Sequence, residues 1–309
     1  MIKNLVAERS FTAGVVSITP FRDDGAVDEA GLRTHLSRLG AAGLGVWVGG
    51  SGSSEGYTLT DDEVERVLRI AVEELSGKVP VRAMGREPRT PAEMVAWVKR
   101  FQHVGVDAIQ IYSLDPGHLY KPREDEIEAY LNEVLESVEV PAVLSAHMSV
   151  GYLPPVPLVM RLCERFPLID AINISGVPQS YLRAAVETLS GRIKIISGGV
   201  TQVVDNLAFG GNGYASSEAN LTPQLCASFV QHVSSGDISA AFDVYKSLTA
   251  LSDILMSYGY VTGLKAVLEL AGLPGGPPRK PRHRLSDREL GELKTKIAEL
   301  QLAELVAYM

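Results

Sequence analysis

The chain has 309 residues, 46% hydrophobic and 21% charged, a composition typical of a globular protein with one large core. Its net charge of −8, without a basic run, argues against nucleic acid as a partner, because phosphate binding needs clustered Lys and Arg. No apolar run reaches the ~20 residues of a membrane span, and the N-terminus lacks the apolar core of a secretory signal. The two cysteines, Cys163 and Cys226, suggest neither a disulfide framework nor a zinc site, so we expect a protein of the reducing cytoplasm.

Short apolar segments alternate with amphipathic segments such as 28–43 and 90–105, which begin with Asp or Thr and end with Gly. Eight such pairs in about 220 residues predict a (β/α)8 TIM barrel. A doubly wound open sheet is the competing fold, but the Gly-rich phosphate fingerprint after the first strand is absent. The predicted strands are GVVSITP (14–20), GVWVGG (45–50), VPVRAMG (79–85), DAIQIYS (107–113), PAVLSAH (141–147), IDAINIS (169–175), IKIISGG (193–199) and GYASSEAN (213–220).

From about residue 224 the alternation stops. Three helical stretches are predicted there, broken by the Pro- and Gly-rich segment 272–286. We therefore expect residues 1–223 to form the barrel and residues 224–309 to form a helical region packed on it.

The motifs GVVSITPF, KVPVRAMG, GVDAIQIYS, IISGG and FGGNGYASSEANLTP follow one another in this order along the chain. Together they resemble the dihydrodipicolinate synthase and N-acetylneuraminate lyase family, from about residue 11 to the C-terminus. The resemblance implies a barrel with a three-helix tail, a homodimer or homotetramer, and chemistry on pyruvate or another 2-oxo acid. It implies neither a metal nor an organic cofactor.

The resemblance also implies a lysine at the end of the sixth strand, whose amine forms an imine with the 2-oxo acid. The family pattern IKE reads INI here, which puts Asn173 at the lysine position. An amide nitrogen has its lone pair delocalised into the carbonyl and cannot form an imine. The other lysines lie at the start of a strand (Lys194), in a loop (Lys121) or on a helix (Lys265), where we expect a pKa near the ordinary ~10.4.

The fifth strand departs from the family pattern as well. It reads LSAHMSVGY, which places Ser145 where the resemblance implies a proton-relaying tyrosine and Val150 where a carboxylate-binding arginine would fall. His147 follows two residues later, and imidazole is well suited to proton transfer near neutral pH. The alternative for His147 is a hydrogen-bonded surface histidine.

The Gly/Ser-rich loop 49–57 follows the second strand. Its backbone N–H groups and hydroxyls suit a carboxylate, and we predict that Ser51, Gly52, Ser53 and Ser54 bind one, although a turn without a ligand is the alternative. Which serine replaces the carboxylate-binding threonine of the family stays open. Glu55 is expected to be structural.

Glu218 stands where the family usually has a small hydroxyl residue. A buried carboxylate needs a partner, and we expect His147, Arg86 or the ligand. A solvated loop glutamate is the alternative.

The remaining candidates are polar residues at the expected strand ends, where TIM barrels carry their sites. Tyr120 or Tyr112 would take the part of the tyrosine that relatives present across a dimer interface, while His118 either contacts the ligand or caps the turn. No spacing among the His and acidic residues is diagnostic of a metal site. The predicted substrate-binding residues outside loop 49–57 are Arg86, Tyr112, His118, Tyr120 and Ser197.

Two functions remain open. In the first, Asn173 hydrogen-bonds a substrate carbonyl or enolate oxygen, Ser145 lies nearby, and His147 or Glu218 moves the proton. The protein would then be a lyase, aldolase or hydratase acting on a 2-oxo acid through an enolate rather than an imine. In the second, Asn173 is a space-filling remnant and the chain is a catalytically silent 2-oxo-acid binding or regulatory protein.

Overall fold

The computed structural model describes residues 11–118 and 120–306. Its eight parallel strands pair consecutively and close into a barrel, because the first strand also pairs with the eighth. This confirms the predicted TIM barrel. The strands are β1 (Thr12–Val16), β2 (Gly45–Val48), β3 (Val81–Ala83), β4 (Ala108–Ile111), β5 (Ala142–His147), β6 (Ile169–Ser175), β7 (Lys194–Gly198) and β8 (Gly213–Ser216).

One helix follows each strand. Asp28 caps the first helix and Thr90 the third, each accepting a hydrogen bond from a backbone N–H of the first turn, as the sequence pattern predicts. The helices are α1 (Glu29–Ala41), α2 (Asp61–Leu75), α3 (Pro91–Val104), α4 (Glu124–Leu135), α5 (Val156–Arg165), α6 (Gln179–Leu189), α7 (Val203–Phe209) and α8 (Pro223–Ser235).

The first and last strands differ from their predicted bounds. β1 ends at Val16 rather than 20, because the Ile18 N–H donates to the Asn220 side chain and leaves the ladder. β8 ends at Ser216 because the next residues turn into a 3-10 helix, Glu218–Asn220, in which the Ala219 N–H donates to the Ser216 hydroxyl. Glu218 therefore lies on a turn, not on a strand.

The C-terminal helical segment is present but has more helices than the three predicted. After α8, the described chain contains α9 (Ile238–Ser257), α10 (Val261–Leu270), α11 (Asp287–Glu299) and the short α12 (Ala303–Val306). Leu255, Leu264 and Leu293 of these helices share a buried cluster with Ile18 and Leu221 at the active end of the barrel. Apolar burial therefore fixes the C-terminal helices against the residues that follow β1 and β8.

Among the helices within the described ranges, none has the length and apolar character that crossing a bilayer requires. The same residues contain no cluster of three or more His, Cys, Asp or Glu side chains that could hold a metal ion.

Candidate active site

A cavity of about 800 Å³ opens at the carboxyl ends of the strands. Three of the predicted catalytic residues line it: Ser145 and His147 from β5 and Asn173 from β6. Four of the predicted substrate-binding residues line it too, namely Ser51, Gly52, Ser53 and Tyr112. The closure of the barrel brings together side chains that are more than 100 residues apart in sequence.

A row of neutral polar side chains forms the floor of the cavity. Asn173 and Ser145 are paired across β6 and β5, and both contact Gln110 of β4. The Asn173 Nδ2 donates to Gln110 Oε1 at 3.1 Å, and the Gln110 Nε2 donates to Ser145 Oγ at 3.3 Å. Asn173 Oδ1 is buried and accepts no hydrogen bond from the described residues. Since a buried acceptor without a partner costs about 1–3 kcal/mol, the amide oxygen has unused capacity to accept a hydrogen bond from a ligand.

His147 faces a carboxylate that also lines the cavity. Its Nε2 lies 3.3 Å from Glu87 Oε1, and its ring packs edge-on against Tyr112 with centroids 6.1 Å apart. Burial lowers the pKa of His147 below 6.5, and the Glu87 charge opposes that shift. The resting imidazole is therefore neutral at pH 7 and able to accept a proton, and Glu87 stabilises the cation that results.

The Gly/Ser-rich loop contributes hydroxyls on one side of the cavity. Ser51 donates to Glu87 at 3.2 Å, and Ser53 donates to the hydroxyl of Ser217. Ser54 instead is fully buried and donates to the Ser17 carbonyl, so it holds the loop and does not line the cavity. The turn is tight at Gly56, where a Cβ would lie 2.1 Å from the Gly49 carbonyl oxygen.

Glu55 anchors this loop from below. It lies in the left-handed region at φ 53 and is fully buried, with Oε1 2.6 Å from Lys265 Nζ. Arg279 N donates to Glu55 Oε2, and the Arg282 guanidinium lies 3.5 Å from it while also lining the cavity. These contacts are consistent with the structural role expected for Glu55.

Lys265 differs from the sequence-based expectation. It is fully buried, and burial lowers its pKa to about 8, although Glu55 opposes the shift. Its Nζ also donates to the carbonyls of Thr19 and Pro277, and it does not line the cavity. The expectation that every remaining lysine keeps an ordinary pKa is therefore wrong at this position.

Glu218 lies behind the cavity wall rather than in it. It is 1% exposed, and its carboxylate accepts from Tyr260 Oη at 2.7 Å and from Ser216 Oγ at 2.9 Å. His147 and Arg86, the expected partners, pair elsewhere. The expectation of a partnered carboxylate is correct, but the side chains expected to pair with it were wrong.

Besides Ser54, four of the predicted substrate-binding residues lie away from the cavity. Arg86 pairs with Asp61 at 2.9 Å and stacks on Trp97, because its side chain turns toward the outer helices. Ser197 is fully buried and donates to the Gly213 carbonyl. His118 and Tyr120 are exposed in the loop after β4.

The polar side chains of the cavity that were not predicted from the sequence include Glu87, Gln110, Tyr260 and Arg282. Gln110 carried the same signal as Asn173, a primary amide within a buried strand. Glu87 follows β3 next to Arg86, the residue that was predicted instead. Tyr260 and Arg282 come from the C-terminal region, where the rule that sites lie at strand ends does not apply.

A model of the dihydrodipicolinate synthetase family matches residues 9–300. The 4-hydroxy-tetrahydrodipicolinate synthase of Methanopyrus kandleri is 29% identical over 287 residues, which cover 92% of this chain and 94% of that protein. The solved synthase of Methylacidiphilum fumariolicum SolV is 24% identical, with a TM-score of 0.86 over 97% of this chain and 98% of that one. A prophage protein of E. coli K12, solved in complex with pyruvate, is 23% identical, with a TM-score of 0.86 over 96% of this chain and 100% of that one. The chain therefore belongs to the dihydrodipicolinate synthetase family.

Proposed function

We propose that the protein is a lyase of the aldolase or hydratase type that acts on a 2-oxo acid through an enolate, without a lysine imine. Family membership supports the substrate class and the lyase chemistry. The observation that carries the proposal is the composition of the cavity wall. No lysine occurs among its described residues, whereas His147, paired with Glu87, and Asn173 are both present.

The reaction needs a base for the carbon next to the ketone. In the proposed step, His147 takes a proton from C3 of the 2-oxo acid, and the electron pair of the broken C–H bond passes through C2 to the ketone oxygen. The neutral resting imidazole suits this role, because burial lowers its pKa. Glu87, 3.3 Å away, then stabilises the imidazolium.

The enolate oxygen also needs a hydrogen-bond donor. An amide NH₂ carries two protons, of which Gln110 accepts one from Asn173. We assign the second to the substrate oxygen and assign the substrate carboxylate to the hydroxyls and N–H groups of the loop at Ser51, Gly52 and Ser53.

Deuterium exchange tests the proposal directly. Pyruvate incubated with the protein in D₂O should lose its methyl proton signal by NMR, because each enolate formed takes up deuterium when it is reprotonated. His147→Gln should slow this exchange 10- to 10,000-fold, as expected for loss of a general base. His103→Gln, on the exposed surface of α3, is the matched control and should exchange at the wild-type rate.

Exchange in His147→Gln at the wild-type rate would contradict the assignment of the base. Thermal stabilisation by pyruvate without exchange, and without product from any aldol adduct, would support the 2-oxo-acid binding protein instead.

A further inference from the structure

Tyr260 lies on the cavity wall in an unfavourable backbone conformation. Its φ of 48 and ψ of −76 lie outside the regions that a residue with a side chain readily adopts. Hydrogen bonds from Tyr260 N to the Leu255 carbonyl and from Leu264 N to the Tyr260 carbonyl hold this conformation between α9 and α10. Strain of this kind persists where the surroundings enforce it and is concentrated at functional sites.

The strained backbone directs the phenol toward a buried carboxylate. Tyr260 Oη donates to Glu218 Oε1 at 2.7 Å, and Ser216 donates to the other oxygen. Within the described ranges, Glu218 forms no ion pair with a Lys, Arg or His. A buried carboxylate held only by neutral hydroxyls is expensive as a purely structural element.

The Tyr260 phenol also connects this carboxylate to the cavity. Tyr260 lines the cavity together with Ser217 and Ser53, whose hydroxyls are hydrogen-bonded to each other. Burial is the main cause that raises the pKa of Tyr260, and the Glu218 charge is the second, so the phenol stays protonated near pH 7. It donates its proton to Glu218 and retains lone pairs that can accept a proton from a ligand.

We propose that Tyr260 is a second catalytic residue of the site, which accepts the hydroxyl proton of a 4-hydroxy-2-oxo acid while its own proton passes to Glu218. As that proton leaves, the C4–O bond becomes a carbonyl and the C3–C4 bond breaks. The electron pair of the broken bond enters the enolate of the 2-oxo acid. His147 takes up a proton from solvent and delivers it to C3, and Glu218 returns its proton to solvent. The phenol thus takes over the function that is missing at Ser145. This role rests on the proposed function, because it uses the same enolate.

Two reactions of the same protein distinguish the role proposed for Tyr260 from the role proposed for His147. The first is methyl deuterium exchange of pyruvate, and the second is release of pyruvate from its aldol adducts with acetaldehyde, glyoxylate and glyceraldehyde. Tyr260→Phe removes only the hydroxyl oxygen. It should lower cleavage 100- to 10,000-fold, as expected for loss of an acid–base group, and leave exchange within about threefold of wild type.

Glu218→Gln should give the same split between the two reactions, because the amide cannot take the relayed proton. Tyr258→Phe is the matched control. Tyr258 lies in the same connection between α9 and α10, but its phenol does not line the cavity, so this variant should cleave at the wild-type rate. The thermal unfolding midpoint of each variant shows whether the fold is retained.

A Tyr260→Phe variant that cleaves the adducts at the wild-type rate would overturn the catalytic role of Tyr260. So would a variant in which exchange and cleavage fall in parallel. Wild-type protein that exchanges pyruvate but cleaves none of the adducts would overturn it as well and leave the enolate proposal standing. Wild-type protein that neither exchanges pyruvate nor cleaves the adducts would overturn both the role of Tyr260 and the enolate proposal.

Discussion

At the scale of single residues, the floor of the cavity is made of amide and hydroxyl groups where the family resemblance implies the nucleophilic amine of a lysine. Asn173, Gln110 and Ser145 satisfy one another in part and leave Asn173 Oδ1 without a described partner. Such a floor can orient an oxygen atom but cannot form an imine with a ketone.

This difference predicts the result of imine trapping. After incubation with pyruvate and borohydride, the intact mass should be unchanged, because no described lysine lines the cavity. Lys265 has a pKa of about 8, but its side chain is 1% exposed and its Nζ lies 2.6 Å from Glu55. An ordinary lysine-containing relative, treated in parallel, should gain the mass of the reduced adduct. A stoichiometric label mapped to Lys265 or any other lysine by peptide digestion would restore the imine mechanism.

A buried histidine far from the chemistry predicts a pH dependence of stability. His35 is fully buried, its Nε2 lies 2.8 Å from Asn220 Oδ1, and burial lowers its pKa to about 3. Below pH 6.5 the unfolded side chain takes up a proton that the folded one does not, so this contribution to stability is complete above pH 6.5 and is lost as the pH falls toward 3. The free energy of unfolding in urea should fall by roughly 1.5 kcal/mol from this group between pH 6.5 and pH 5.

His35→Gln has no titrating group at this position and should lose that part of the pH dependence, whereas the exposed His283→Gln should retain it. Equal pH dependence in the His35→Gln variant and the wild type would show that other groups account for the effect.

The sequence identified Asn173, Ser145 and His147 because each stands at the end of an apolar strand, where a barrel exposes its polar residues. It could not identify Tyr260 or the partner of Glu218. Both depend on how the connection between α9 and α10 packs against the turn after β8, more than 40 residues earlier in the chain. No local sequence pattern encodes that contact. The prediction that Arg86 binds substrate was wrong for a related reason, since the order of residues after β3 does not show which side chain turns toward the cavity.

At the scale of elements, the order of strands and helices was predictable because the spacing of apolar residues and the residues that cap helices are local signals in the sequence. The bounds of β1 and β8 were not, because both ends depend on hydrogen bonds to the Asn220 and Ser216 side chains. The loop after β2 is likewise held from a distance, by α10 and the segment that follows it.

The Glu55–Lys265 pair should therefore contribute strongly to stability. Lys265→Met leaves the buried Glu55 carboxylate with the Arg282 guanidinium at 3.5 Å as its remaining charged side-chain partner in the described chain. Breaking a buried pair from one side costs about 3–5 kcal/mol, which urea unfolding would measure. Combining Lys265→Met with Glu55→Gln should recover at least half of that loss, because the uncompensated charge is removed too.

Lys194→Met is the control, since its pair with Asp170 is exposed and worth about 1 kcal/mol at most. A Lys265→Met variant no less stable than Lys194→Met would mean that the buried pair contributes nothing measurable.

At the scale of the whole molecule, the active end of the barrel exposes large apolar side chains. Tyr57, Tyr120 and Met148 lie in the regions after β2, β4 and β5 and are all exposed. We expect a homodimer or homotetramer that buries this end, since exposed apolar residues gathered on one face are typical of an interface.

Light scattering at micromolar concentration should show the oligomer. Tyr120→Glu combined with Met148→Glu should shift it toward monomer, while Met256→Glu, exposed on α9, should leave it unchanged. A wild-type monomer under these conditions would refute the expectation.

The position of Tyr260, Lys265 and Arg282 after β8 has a consequence for how the protein is made. Synthesis proceeds from the N-terminus, so all eight strands have been synthesised before these three residues are added. A nascent barrel at that stage holds the Glu55 carboxylate without its lysine, and its cavity lacks the phenol and the guanidinium. A product of premature termination after β8 would therefore keep the strand-end residues of the cavity but lack the contacts that hold the loop after β2.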